Sequence, residues 1–401
     1  MTAPGRVPAV RPDGGPLVSV CVPTFNGALY IGEALRSVLD QAFEDLELVV
    51  VDDGSSDGTA DVVATIRDER LRLVRNSVRL GLVGNWNRCL DLARGPHVTV
   101  FHQDDLMAPD NLASKVRFLE EHPTVGLVHS NVAQIDAHGG LLSEWWDSPP
   151  RPEDEGRHDG MAYFHRLVTG INIICAPSVV MRRTAVEQLG GFDPRLPFTA
   201  DWEMWLRVAL FYDVGYLTQP LVRYRRHDGM ETVRSSWSQQ LEQGYLAKML
   251  VLEKHPDRVP DVEALSRRIS QEYRDRALAR ARTELEEGRP GPAGQSLAVA
   301  LAVCERMRHG PSANGYDAAV SEVFAALGGL AVAGAWREEF EARLRQAETG
   351  AERAGAWAKD LARALDDRDR LIDAMVRTRV WRVAQKWWSL KHAAGQLLRR
   401  T

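Results

Sequence analysis

Three short apolar runs in this chain each end in a polar cluster, and that pattern limits the folds open to it. Residues 18–22 lead into Pro23-Thr24-Phe25-Asn26, and residues 46–51 into Asp52-Asp53-Gly54-Ser55-Ser56-Asp57. Residues 98–101 lead into His102-Gln103-Asp104-Asp105. Runs this short and this apolar suit strands buried on both faces of a mainly parallel sheet. Residues 71–74 and 125–129 complete five predicted strands. Between the first two lies a helical stretch, 28–42, with Ile31, Leu35, Val38, Leu39 and Ala42 on one face. Residues 61–67, 85–93 and 111–121 fill the equivalent places later. Strand alternating with helix predicts βαβ units and an α/β sheet whose strand ends carry the chemistry.

Past about residue 231 the strand signal stops. Residues 241–254, 261–287, 294–308 and 316–327 read as helices, broken at 288–292 and at Gly310-Pro311. The expected plan is a disordered leader over 1–16, an α/β domain over 17–232, an α-helical domain over 233–350, and a charged helix with a basic amphipathic tail over 351–401. The leader rests on Pro4, Pro8, Pro12 and Pro16 and on the lack of an apolar run that a signal peptide needs. No segment reads as a spanning helix. A net charge of -5 gives no general case for nucleic-acid binding. The four cysteines stand far apart with no CxxC, which argues against a zinc or disulfide scaffold and for a reducing, cytoplasmic setting.

Two of the strand ends carry paired carboxylates. Such pairs are unfavourable unless a positive group lies between them, and a divalent cation is the simplest such group. The three segments 18–26, 49–57 and 102–105, in this order and spacing, resemble the family 2 glycosyltransferases of GT-A fold, over roughly the first 230 residues. The resemblance implies a Rossmann-like, mainly parallel sheet flanked by helices, followed here by an α-helical C-terminal region.

The resemblance also assigns residues. Asp53 corresponds to the acid that reads the nucleobase, where a carboxylate suits the N3–H of uracil or thymine. Asp52 supports it or faces the ribose; Asp57 is read as a cap of the turn and the next helix. Pro23, Thr24 and Asn26 would line the base and ribose, with Asn26 as N-cap of the next helix being the equal alternative. Asn85 is a candidate donor contact, and Asn87 is read as structural. Asp105 would ligate Mg²⁺ or Mn²⁺ bridging the diphosphate, and Asp104 would contact the ribose or donor sugar. Where many relatives carry a third aspartate, this chain has His102, which implies a thinner metal shell.

On the acceptor side, Asp201 matches the base that takes the acceptor hydroxyl's proton, although Ala200 stands where an acid usually precedes it. Glu203 is its understudy, and helix capping is the plain alternative for Asp201. Loops around Trp145, Trp146 and Asn172 are expected to shape the acceptor pocket. Further on, Arg225 would pair with donor phosphates and His227 would add a metal ligand; a solvated basic turn is the alternative for both. Residues 374–401 hold no acid, seven basic residues and helically spaced apolar ones including Trp387. They read equally as a peripheral membrane anchor or as a helix packed on the body.

The expected function is therefore metal-dependent, inverting transfer from a UDP, dTDP or GDP sugar to a glycan or lipid-linked acceptor, in cell-surface polysaccharide or glycoconjugate synthesis. A peripheral place on the inner face of the plasma membrane and a homo-oligomer complete these expectations. The alternatives are a non-catalytic GT-A-like scaffold that binds a glycan or partner, and a nucleotidyltransferase. The latter would present a glycine-rich basic loop that Pro23-Thr24-Phe25-Asn26-Gly27 is not.

Overall fold

The computed structural model describes residues 14–309 apart from 147, 231–234 and 288. The expectations for residues 1–13, for the helix at 316–327 and for the tail at 374–401 lie outside the described residues. The chain divides into two compact units, ending and starting at Val262 and Glu263.

The first unit is an α/β sheet built in the order β1 (Val18–Thr24), α1 (Ile31–Leu39), β2 (Leu46–Asp52), α2 (Thr59–Ala64), β3 (Leu71–Arg75), α3 (Gly81–Leu92), β4 (His97–Val100), β5 (Leu106–Met107) and α4 (Asn111–Glu121). It continues through β6 (Val125–Ile135), β7 (Leu141–Ser143), β8 (Gly156–His158), α5 (Gly160–Thr169), β9 (Val180–Arg182), α6 (Arg183–Leu189), α7 (Ala200–Phe211), β10 (Asp213–Arg225) and α8 (Trp237–Lys254). All five predicted strands form. The spatial order is β3-β2-β1-β4-β9-β6-β10-β5. Strands β1, β2, β3 and β4 pair in parallel, as do β6 and β10, whereas β9 runs antiparallel between β4 and β6. The helix predicted for 28–42 is shorter, because Asn26 to Tyr30 are spent on the turn out of β1.

Side chains along the central strands alternate between two cores. Val18, Val20 and Val22 of β1 and Leu46, Leu48 and Val50 of β2 join Ile31, Leu35 and Val38 of α1. On the other face Cys21 donates to the Cys89 carbonyl of α3, and Ser19 donates to Glu47, which Arg94 also binds. These polar residues sit inside strands because each meets a partner there. Helix α8 belongs to the first unit, which therefore runs past the expected boundary at 232. Thr199 donates to the Gln243 carbonyl, and the Lys248 ammonium donates to the Gly170 carbonyl while facing the Trp202 ring.

The second unit contains α9 (Val262–Glu286) from its second residue on, and α10 (Pro290–His309). Ile269, Tyr273, Ala277 and Ala281 form a buried stripe at helical spacing. Ser296 and Arg280 both donate to the Glu284 carboxylate, tying the two helices together. The predicted break at 288–292 is narrower than expected: the second helix starts at Pro290, since a proline lacks only an N–H that the first turn leaves unpaired anyway.

One residue in the first unit opposes its surroundings. Lys115 lies on the buried side of α4 beside Leu112, Val116 and Leu119, and its Nζ has no hydrogen-bond partner among the described residues. Burial pulls its ammonium down to about 7. The unfolded chain keeps that proton up to about pH 10.4, so it binds more protons than the folded chain between those values. Stability should accordingly rise with pH across that window. Lys115→Met should raise stability by about 1–3 kcal/mol at pH 7 and flatten that rise; an unchanged melting temperature with the same pH slope would refute this reading.

Candidate active site

The site forms where β2, β1 and β4 end side by side. Asn26 adopts a left-handed backbone, φ 48°, which asparagine tolerates better than most residues. Its N–H donates to Ser55 Oγ at 2.9 Å and its Oδ1 accepts from the Ser56 N–H at 3.0 Å. Asn26 is thus a stitch between two loops and not the N-cap of α1, which is Tyr30. Asp57 accepts from the Ala28 and Thr59 N–H groups, clamping the same turn and the start of α2. Gln103 fastens β4 to β1: its Oε1 accepts from Thr24 Oγ1 at 2.5 Å and from the Phe25 N–H at 3.1 Å. A Cβ on Gly27 would lie 2.1 Å from that oxygen, which explains the glycine.

Asp52 and Asp53 divide their work. Asp52 is fully buried, accepting from Arg75 Nε at 2.8 Å and the Ser55 N–H at 2.9 Å. Asp53 accepts from Asn76 Nδ2 at 2.8 Å, the Leu80 N–H at 2.7 Å and the Gly81 N–H at 2.9 Å. A carboxylate offers about four acceptor positions, so Asp53 keeps one while anchoring the start of α3. Asn85 does not present itself to a ligand. It is buried, donates to the Val51 carbonyl at 2.9 Å and accepts from Asn76 at 2.9 Å, so both ends of its amide are engaged. Asn87 is structural as expected, bonded to the Phe192 backbone in both directions.

Strand β10 carries a basic segment to the acids of β4 because it pairs with β5, Val222 opposite Met107 and Arg223 opposite Leu106. The Arg225 N–H donates to Asp105 Oδ1 at 2.8 Å. Its guanidinium bonds the Asp104 and Ala137 carbonyls and Glu33 Oε2, and lies 4.7 Å from the Tyr30 ring. With a donor on each of its three nitrogens engaged and its side chain buried, Arg225 braces the strand end and does not reach for phosphates, contrary to the sequence expectation. His227 Nε2 lies 2.9 Å from Asp104 Oδ2, while the Gly229 N–H points at its Nδ1 at 3.1 Å. That second bond assigns the Nε2–H as donor to Asp104. His227 therefore orients an acid where the sequence reading made it a metal ligand.

The remaining groups face one another. Asp105 is fully buried, and its Oδ2 lies 3.4 Å from His102 Nδ1 without a hydrogen-bond partner among the described residues. Burial, with the Asp104 charge adding to it, pushes the Asp105 carboxyl up to about 6, against His102 and the Arg225 N–H. Burial also opposes ionisation of Asp104, yet its bond to His227 and the nearby His102 outweigh this and leave it below the usual range. Burial disfavours the His102 cation, but Asp105, Asp104 and Asp201 together hold its pKa above the ordinary value. Ligand atoms of His102, Asp104 and Asp105 lie within 4.8 Å of one another. A buried carboxylate oxygen left without a partner among such atoms fits a divalent cation.

Asp201 enters from the first turn of α7. Its Oδ1 accepts from the Trp202 N–H at 2.7 Å and its Oδ2 from Asn172 Nδ2 at 3.0 Å. The Ile174 N–H donates to Asn172 Oδ1, so the amide turns its NH₂ toward the acid. Burial lifts Asp201 to about 6 despite those two bonds and the charge of His102. Glu203 is no understudy: it is buried in a two-point ion pair with Arg207, at 2.6 and 2.8 Å. Parallel strands stand about 4.8 Å apart, which sets Asp53 roughly 10 Å from the His102–Asp105 segment. Sequence reading missed Gln103, Asn76 and the inward role of His102, and named Asn172 without its bond to Asp201.

A sheet of this order with acids at adjoining strand ends is the GT-A arrangement, and the sequence profile of Glycosyl transferase family 2 matches residues 19–190. The chain belongs to glycosyltransferase family 2. An uncharacterised Mycobacterium tuberculosis protein, MT1568, is 33% identical over 229 residues, 55% of this chain and 70% of its own. EpsE of Bacillus subtilis, named as a glycosyltransferase, is 26% identical over 239 residues, 58% and 81% of the two chains. In fold, the chain is similar to S. aureus TarS 1–349, solved with UDP-GlcNAc, at a TM-score of 0.53 and 18% identity, covering 75% of this chain and 90% of that one. No helix among the described residues is long and apolar enough to cross a membrane.

Proposed function

We propose that this glycosyltransferase moves a sugar from a nucleoside diphosphate to an acceptor hydroxyl in a single, inverting displacement assisted by a divalent cation. The observation that carries the proposal is Asp201, held by Asn172 and Trp202, its carboxyl raised by burial and electrostatically tied to His102 beside the Asp104–Asp105 pair. Asp201 takes the proton of the acceptor hydroxyl as its oxygen bonds to the sugar and the bond to the diphosphate breaks. Asp105 and Asp104 would hold Mg²⁺ or Mn²⁺, which when bound supplies countercharge to the leaving diphosphate. His227 orients Asp104 for that task, and Arg225 fixes Asp105 through its backbone N–H. Asp53 offers its last acceptor position to the base, with Pro23, Thr24 and Asn26 at the neighbouring strand end. The TarS likeness supports a nucleotide-sugar donor because that protein was solved with one. Acceptors of cell-surface polysaccharide or glycoconjugate synthesis are the class we favour, from the family resemblance.

The test is a donor screen that follows nucleotide release, with UDP, dTDP and GDP sugars, in the presence and absence of Mn²⁺. Metal-linked binding of one nucleoside diphosphate and slow hydrolysis of its sugar are expected. Binding of no nucleotide under either condition would leave a scaffold in place of an enzyme.

A further inference from the structure

We infer that His102 is a nitrogen ligand of the cation site, and that it makes the site select Mn²⁺ over Mg²⁺. The inference rests on the metal-assisted reading above and adds the identity of a ligand and of the ion. By the family resemblance, a histidine in place of a third aspartate thins the metal shell; the geometry reverses that expectation.

Three observations support it. Asp105 Oδ1 is committed to the Arg225 N–H, which leaves Oδ2 as the acid's only free ligand atom, wholly buried and unpartnered among the described residues. A basic atom, His102 Nδ1, lies 3.4 Å from that oxygen. Cis ligands of an octahedral ion with bonds near 2.1 Å stand about 3 Å apart, so the observed gap already approaches the edge of a coordination shell. At 3.4 Å the two atoms make no hydrogen bond, and Asp105 Oδ2 and the far ring nitrogen, His102 Nε2, each lack a partner among the described residues. The imidazole is also held in place. Its ring lies 5.7 Å from that of Trp86, which in turn packs edge-on against Phe192.

His227 does not compete for this role, because its two nitrogens are taken by Asp104 and the Gly229 N–H. The residues that reach the cation are then one nitrogen and two carboxylates. Mg²⁺ prefers an all-oxygen shell, whereas an imidazole favours transition ions, and stability along the first-row series already rises from Mn²⁺ upward.

The full chain is loaded with Mn²⁺ and inorganic pyrophosphate, a diphosphate that contains no nitrogen, and retention is checked by ultrafiltration. Pulsed electron paramagnetic resonance then reads ¹⁴N coupling to the ion. The expected result is a histidine ¹⁴N signal in the wild type and in His227→Asn, and its loss in His102→Asp, which still retains Mn²⁺. His102→Asp should also lower the preference for Mn²⁺ over Mg²⁺ by about tenfold. Retained Mn²⁺ without ¹⁴N coupling in the wild type overturns the inference and leaves the metal-assisted reading standing. A signal that survives in His102→Asp but vanishes in His227→Asn also overturns it. Failure to retain Mn²⁺ at all removes both. Should His102→Asp not fold, the wild type and His227→Asn decide alone, since loss of coupling in the latter refutes the assignment.

Discussion

Asp201→Asn is expected to lower kcat by about 10²–10⁴-fold, the usual worth of a positioned general base, while nucleoside diphosphate affinity changes by no more than about two-fold. Asparagine keeps the volume and an oxygen for the Trp202 N–H, and although its NH₂ loses the bond from Asn172, the change is confined to one partly buried contact; it offers no site for the hydroxyl proton. The same assignment fixes a pH profile. Asp201 acts only when ionised, and burial has lifted it to about 6. Activity should therefore be flat above that value and fall toward tenfold per pH unit below it, a limb that Asp201→Asn abolishes. Asn172→Ala removes a donor that favours the ionised form and should move the same limb to higher pH. An Asp201→Asn enzyme within about threefold of wild type would end the assignment of this residue as the base.

The strands and the order of the acids were legible because they depend on local pattern. An apolar run ending in Asp52-Asp53 has few places to go but the end of a buried parallel strand, and β1 to β4 form as read. Strand β10 was partly hidden by Pro220, which sits at a shift in register where the sheet tolerates it. Strand β9 is only three residues long and is defined by its neighbours on both sides.

The roles of side chains were less legible than their positions. Arg225, Asn85 and Glu203 were each read as facing a ligand because their residue types suit one. The structure gives each to the protein: Arg225 to Glu33 and two carbonyls, Asn85 to Val51, Glu203 to Arg207. Each of those partnerships joins residues that the fold brings together, and type alone does not report them. The spacing of four between Glu203 and Arg207 on one helix was a usable signal for an ion pair. His102 went the other way, since only in three dimensions does its Nδ1 lie 3.4 Å from an Asp105 oxygen that lacks a hydrogen-bond partner among the described residues.

Arg207→Ala should cost about 3–5 kcal/mol, the usual penalty for removing one member of a buried ion pair. Both Glu203 and Arg207 are almost wholly inaccessible, so the abandoned carboxylate would lie uncompensated in the core. The guanidinium does more than neutralise it. Nη1 donates to the Leu189 carbonyl at 2.7 Å, and Nη2 donates to the Gly191 carbonyl at 2.7 Å. Those carbonyls lie at the last residue of α6 and in the turn after it, where Gly190 has φ 88° and Gly191 leaves no room for a Cβ beside Asn87. The turn delivers Phe192 to Trp86, and Trp86 supports His102, so loss of Arg207 should loosen the site as well as the fold. For a domain of this size the melting temperature should fall by roughly 10 °C. Replacing the pair together, Glu203→Leu with Arg207→Met, should recover much of that loss, because a packed apolar pair removes the stranded charge. It would not restore the bonds to the turn, so activity should recover less than stability. If Arg207→Ala melts within about 2 °C of the wild type, which for this size is under about 1 kcal/mol, the pair does not anchor the turn.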